Sequence, residues 1–235
     1  AAHADGKRLA VHATELVTAK AALRAGADIL VHSVFDAPVD DEFIALLKQR
    51  GALYCPTLFV VEGYPLALSG QWQATAEEAR LADPEILAGM DDLATIPADK
   101  LPERVAKAMA AKKPVDPPKI AMANLKRVQD AGVTVVMGTD AGNIGTLHGP
   151  SVFREMRLMV ESGLTPLEVL RSATFNAAKT MGLEGRTGEV EAGMLADLVI
   201  LDADPLADIS NLSHVYRTIK GGVVYDPAAL MESIH

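Results

Sequence analysis

Short apolar runs alternate with amphipathic stretches along the first half of the chain. "RLAVH" (8–12), "DILVH" (28–32), "LYCPTLFV" (53–60) and "TVVMG" (134–138) are apolar runs and predict four strands. Residues 15–27 place Leu16, Ala19 and Leu23 on one helical face and stop at Gly26. Residues 40–52 predict a second helix, with Asp40 as N-cap and Gly51 as stop. A third helix, over about 118–131, aligns Ala121, Leu125 and Val128 ahead of the fourth run. Strand and helix taking turns in this way is the βα unit of a parallel sheet. Runs that are apolar throughout, rather than alternating, suit strands covered on both faces.

Residues 61–117 interrupt this alternation with helix signals of their own. Thr75 and Glu78 have capping-box spacing, and Asp83-Pro84 reads as an N-cap followed by proline at the first helical position. So long a βα connection fits a lid over a site and equally a solvated packing appendage. Two further helices are expected, "SVFREMRLMVESG" (151–163) and "TPLEVLRSATFNAAKTMGL" (165–183), the second with Thr165 as cap. The character then changes. Strand runs at 197–202 and 215–220, with a Gly-Gly turn at 221–222, predict a small β unit. The expected division is a βα portion over 1–184, with its helical insertion at about 61–117, and a small β portion over 185–235. The opening "AAHADGKRLAVHA" lacks a start methionine and reads as the tail of a helix over 1–5, so the chain is expected to be the later part of a longer protein.

Composition narrows the function classes. At 235 residues, 49% hydrophobic and 23% charged, the chain suits a globular protein with a sizeable core. A net charge of -9 and the absence of any Lys/Arg run argue against nucleic-acid binding. One cysteine, Cys55, excludes an intrachain disulfide and a cysteine-based zinc site. No apolar stretch has membrane-spanning length, so no membrane association is expected, and a cytoplasmic location is favoured. "DAGNIG" lacks the spacing of a dinucleotide fingerprint, and no Gly-x-Ser-x-Gly elbow is present.

The ends of three strand runs carry the candidate chemistry. "LAVH" ends in His12, "ILVH" in His32 and "VVMGTD" in Asp140. A single histidine at a strand end is more often a hydrogen-bonded structural residue than a ligand, and Asp140 alone reads as a turn or cap residue. Three metal-competent side chains at equivalent places are a different matter. In a parallel βα barrel the C-terminal strand edges form one rim, where active sites sit. Two imidazoles and a carboxylate there form a donor set that zinc accepts.

"VHATE", "LVHS", "GTDAG", "TPLEVLRSATFNAAKTMGL" and "GMLADLVILDADPLADI" resemble the metal-dependent amidohydrolase superfamily, in the branch of imidazolonepropionase and prolidase-like peptidases. The resemblance covers the chain outside 61–117. It implies an α/β fold: the C-terminal half of a (β/α)8 TIM barrel, strands five to eight, plus the C-terminal part of a small β-sandwich. It implies one or two divalent metals, most commonly zinc. His12 and His32 would be metal ligands, and Asp140 would bind metal and take the proton from its water. The implied activity is hydrolysis of an amide or peptide-like C–N bond, in a dipeptide, acyl-amino acid or cyclic amide, by a metal-activated hydroxide. The family also uses a His-x-His pair and, in its binuclear branch, a carboxylated lysine; this sequence offers neither. An N-terminal segment or separate chain is therefore the expected partner, beside a small-molecule substrate, and a homo-oligomer is expected. His148, in "GTLHGPSVF", is the expected substrate contact, with Tyr64 of "VEGYP" a second candidate. His3, His214 and His235 are expected to be solvated or satisfied locally. Glu15, three residues after His12, leaves deamination open, although the Ser-Asn pair of the deaminases is missing from "CPTLFV". The other alternative is a non-catalytic half-barrel that serves as a partner chain.

Overall fold

Three parallel strands organise the computed structural model, which describes residues 2–92, 95–110 and 114–232. They are β1 (Ala10–His12), β2 (Ile29–Val31) and β3 (Leu53–Cys55), in that order, with Val11 opposite Leu30 and Leu30 opposite Tyr54. Leu30 and Tyr54 are fully buried. The expectation of strands covered on both faces fails at β1: Ala10 and His12 share one face of the strand and are both exposed, so among the described residues that face is left uncovered. The fourth run lies beside β3 without becoming a regular strand. It makes one parallel bridge, Tyr54 to Val135, with the Tyr54 N–H donating to Thr134 and the Val136 N–H to Tyr54. Gly138 has a local reason, since a Cβ there would sit 2.6 Å from Cys55 Sγ.

The local signals set most of the helices. Helix α1 (Leu16–Ala25) stops at Gly26, which takes the left-handed conformation that residues with a Cβ resist. Helix α2 (Asp41–Arg50) starts where the Asp40 carboxylate accepts the Phe43 N–H. The strand expected over 53–60 is cut short. It ends at Cys55, and helix α3 (Leu58–Leu68) takes over. The reason lies far along the chain: the buried Glu155 carboxylate accepts the N–H groups of Leu58 and Phe59, so this apolar run starts a helix. Helix α4 (Ala76–Leu81) carries the Thr75–Glu78 capping box, α5 runs over Pro84–Asp92 and α6 over Glu103–Ala110. Helices α7 (Lys119–Asp130) and α8 (Ser151–Glu161) follow. The long helix expected over 165–183 is two, α9 (Pro166–Ala173) and α10 (Phe175–Thr180), because Thr174 leaves helical geometry at φ −119° and ψ −85°. At the start, Ala2–Asp5 form only a 3-10 turn, and Ala1 lies outside the described residues.

The sheet and these helices share one core. Leu23, Phe43, Leu47, Leu125, Met159 and Val169 pack with Leu30 and Tyr54. Burying a side chain of this size is worth roughly 1.5–3 kcal/mol. A smaller cluster joins Ala67 and Trp72 of the 61–117 excursion to Leu147.

A second sheet is antiparallel, in the order β4 (Leu198–Leu201), β5 (Val215–Lys220), β6 (Val223–Tyr225). The Gly221-Gly222 turn is where expected, but the three-residue β6 after it was too short to read from pattern. Ile209, between β4 and β5, is buried in the main core and ties this sheet to the rest. Helix α11 (Pro227–Glu232) closes the described chain. Among the described residues no helix is long and apolar enough to cross a membrane.

Candidate metal centre

At the C-terminal ends of the parallel segments His32 stands between the other two predicted side chains, His12 and Asp140. His12 ends β1, and its ring meets that of His32 edge-on, with centroids 4.4 Å apart. His32 follows β2, and its Nε2 lies 3.9 Å from Asp140 Oδ2. His32 is 6% exposed, whereas the Asp140 side chain is 39% exposed and open to solvent.

Backbone strain marks the same place. Among the described residues the non-glycine positions with positive φ are His32 (74°), Thr57 (43°) and Asp140 (54°). All three stand just past the ends of neighbouring parallel segments. Such conformations cost on the order of 1–3 kcal/mol each and persist where packing over-determines them, commonly at functional sites. The kink at His32 turns its ring so that Nδ1 lies 2.6 Å from Thr57 Oγ1. In the tautomer whose Nδ1–H donates to that hydroxyl, Nε2 carries the lone pair that a metal would take. Burial, and then the neighbouring His12, hold the His32 pKa below its ordinary value, while Asp140 opposes them. A neutral imidazole is the form that binds a metal.

Asp140 is held from the other side. Asn143 Nδ2 donates to Asp140 Oδ2 at 2.6 Å, and the Tyr64 hydroxyl donates to Asn143 Oδ1 at 2.6 Å. Tyr64 thus comes from helix α3 to the edge of the centre, linked to the carboxylate through Asn143. His148 lies in the same loop as Asp140, exposed, where a Cβ on Gly142 would fall 3.0 Å from its Nε2. Glu15 is exposed at the N-cap position of α1 rather than inside its first turn. His3 is satisfied locally by Asp28 at 2.7 Å, His214 is exposed, and His235 lies outside the described residues.

The 61–117 excursion divides into two parts. Its beginning is pinned by two adjacent residues of α8. Glu155 holds the start of α3, and Arg154 pairs with the buried Glu78 of α4 at 2.7 Å while its guanidinium lies over the Phe59 ring. Gly63 and Gly145 also press together, so that a Cβ on Gly145 would fall 2.6 Å from Gly63 O. By contrast, none of the described side chains from Pro84 to Ala110 is buried.

Thr57, Asn143 and Glu155 escape sequence reasoning. Their partners lie on other elements, and a lone Thr, Asn or Glu has no spacing signal. Cys55 sits beside this centre as a neutral thiol, its pKa pushed up to about 12 by burial.

Residues 1–225 match the Amidohydrolase family. The chain belongs to the amidohydrolase family. Ochratoxinase of Aspergillus niger is 30% identical to this amidohydrolase chain over 216 residues, covering 87% of it. Imidazolonepropionase of Geobacillus kaustophilus is 36% identical over 107 residues, 43% of the chain. Among solved structures, a Xaa-Pro dipeptidase with bound methionine in the active site superposes with a TM-score of 0.70 at 28% identity, over 96% of the chain. The amidohydrolase chain spans 35% of the ochratoxinase, 25% of the imidazolonepropionase and 46% of the dipeptidase chain. The resemblance read from the motifs therefore holds.

Proposed function

We propose that the protein is a metal-dependent hydrolase of an amide or peptide-like C–N bond, and that His12, His32 and Asp140 hold its divalent metal. The observation that carries this is their convergence at the ends of neighbouring parallel segments, two of them on strained backbone. The donor set fits zinc in kind: two nitrogens and a carboxylate oxygen, with the His32 ring oriented by Thr57. It is incomplete in arrangement as well as in number. Among the described residues no group of three or more His, Cys, Asp or Glu side chains is arranged to hold a metal by itself. An upstream segment or chain would supply the remaining ligands, the His-x-His pair and a lysine. The same segment would supply barrel strands one to four, to which the exposed edge of β1 would pair, and the rest of the β-sandwich.

When bound, zinc would supply Lewis acidity and lower the pKa of a bound water toward about 7. The chain's own groups do the rest. Asp140 accepts the proton of the attacking water at Oδ1, since Asn143 holds Oδ2, and passes it to the leaving nitrogen. Tyr64 and His148, at the rim, contact the substrate. The Xaa-Pro dipeptidase suggests dipeptides as the first substrates to try, with N-acyl-amino acids beside them as simple amides of the proposed class.

The test is Asp140→Asn in the full-length protein, assayed with zinc on N-acyl-amino acids and dipeptides. Turnover should fall by about 10²–10⁴-fold with the circular dichroism spectrum kept. Unchanged turnover would overturn the assignment.

A further inference from the structure

We infer that Glu155 is a positioning residue for His32, acting through Thr57 at the start of helix α3. The first N–H groups of a helix have no partner within it, and an N-cap threonine normally turns its hydroxyl inward to accept one of them. Thr57 stands at that N-cap and does not do so. Its backbone is left-handed, its side chain makes no capping bond, and its hydroxyl goes to His32 Nδ1. The capping is done by Glu155 instead. One carboxylate oxygen accepts the Leu58 N–H and the other the Phe59 N–H, each at 2.8 Å, in a site where Glu155 is fully buried. A negative charge at a helix N-terminus is favourable in its own right. Glu155 therefore releases the Thr57 hydroxyl from its usual task and leaves it for the imidazole. Thr57 is itself 2% exposed, so no water competes freely for that hydroxyl. Without the carboxylate, the cheapest repair is for Thr57 to return to extended backbone and cap α3 itself. His32 Nδ1 would then lose its partner, and the ring the contact that fixes its orientation.

This inference rests on the reading of His32 as a metal ligand only where zinc is used, so the experiment has two arms. The full-length protein is prepared as Glu155→Gln, with Glu155→Asp and Glu155→Ala beside it and His32→Ala as control. Without metal, the ring nitrogens of selectively 15N-labelled histidine report the His32 tautomer. With zinc, competition against a chelator gives the affinity. An amide at 155 offers one acceptor where two N–H groups need one each. Glu155→Gln should therefore shift the His32 ring-nitrogen signals away from those of the parent and weaken zinc binding about 10–100-fold, the usual effect of removing a group that orients a ligand. Glu155→Asp should recover part of the loss relative to Glu155→Ala. A Glu155→Gln protein that is folded, with His32 shifts and zinc affinity unchanged, would overturn the inference. Should that variant fail to fold, Glu155→Asp decides by the same two readouts. Failure of the metal reading shows separately, as unchanged zinc affinity in His32→Ala, and the tautomer arm still decides the role of Glu155.

Discussion

Among the described residues the parallel and antiparallel sheets have three strands each, but they place their backbone strain differently. In the antiparallel sheet, the turn that needs positive φ receives Gly221 and Gly222, and the apolar residues beside it stay exposed: Val199 at 59%, Val223 at 55%. Around the parallel sheet, positive φ falls on His32, Thr57 and Asp140, whose side chains form the candidate centre. Glycine meets a turn at little steric cost, but it brings no functional group. A left-handed histidine persists where packing holds it, as His32 is held at 6% exposure, and Asp140, open to solvent, is of a residue type that tolerates this conformation. A tightly packed sheet can therefore aim polar side chains at one point, and a solvated one cannot.

Three measurements would sharpen or break that contrast. The largest effect is expected at the centre of the parallel sheet. Leu30→Ala removes a fully buried side chain from the middle strand and should cost about 2–5 kcal/mol in urea unfolding. A loss below 1 kcal/mol would mean that the packing around the rim is loose.

Next comes the pH dependence of stability. Burial pushes the Glu155 carboxyl up from 4.5 to about 7, against the pull of the two backbone N–H groups it accepts. The folded state then binds this proton more tightly than the unfolded chain. Its contribution is present below about pH 4.5 and is lost as pH rises through 7, on the order of 3 kcal/mol in all. His32 runs the other way, because its pKa is depressed; its contribution is present above its ordinary value and lost as pH falls. In a His32→Ala background, the difference between the parent and Glu155→Gln isolates the glutamate. That difference should change steadily between pH 4.5 and 7, and a flat difference would show an ordinary carboxylate.

The smallest effect belongs to the antiparallel sheet. Val199→Ala should move stability by no more than about 0.5 kcal/mol, as at most exposed positions. A loss as large as that of Leu30→Ala would show that another surface covers this face in solution.

Much of this arrangement was legible in the sequence where its causes are local. Asp40, Thr75 and Thr165 cap helices as their spacing announces, and Gly26 and Gly51 stop them. His12, His32 and Asp140 could be grouped because parallel strands bring successive C-terminal ends to one edge. What stayed hidden depends on distance along the chain. "LFV" (58–60) reads as the end of a strand until a carboxylate 97 residues later takes the Leu58 N–H. Asn143 looks like a loop residue until Tyr64 and Asp140 meet it from either side. The break at Thr174 and the three residues of β6 carry too little pattern to outweigh their neighbours.

Helix α8 also decides where the protein can change length. Because Arg154 and Glu155 are adjacent, an insertion between Leu58 and Leu81 would have to satisfy both anchors at once, and losing either leaves a buried charge or bare helix N–H groups. Beyond Asp83 no such anchor is buried among the described residues up to Ala110. That stretch is the natural seam for grafting a new loop, an affinity tag or a whole domain, because its ends are exposed while the centre is held from elsewhere.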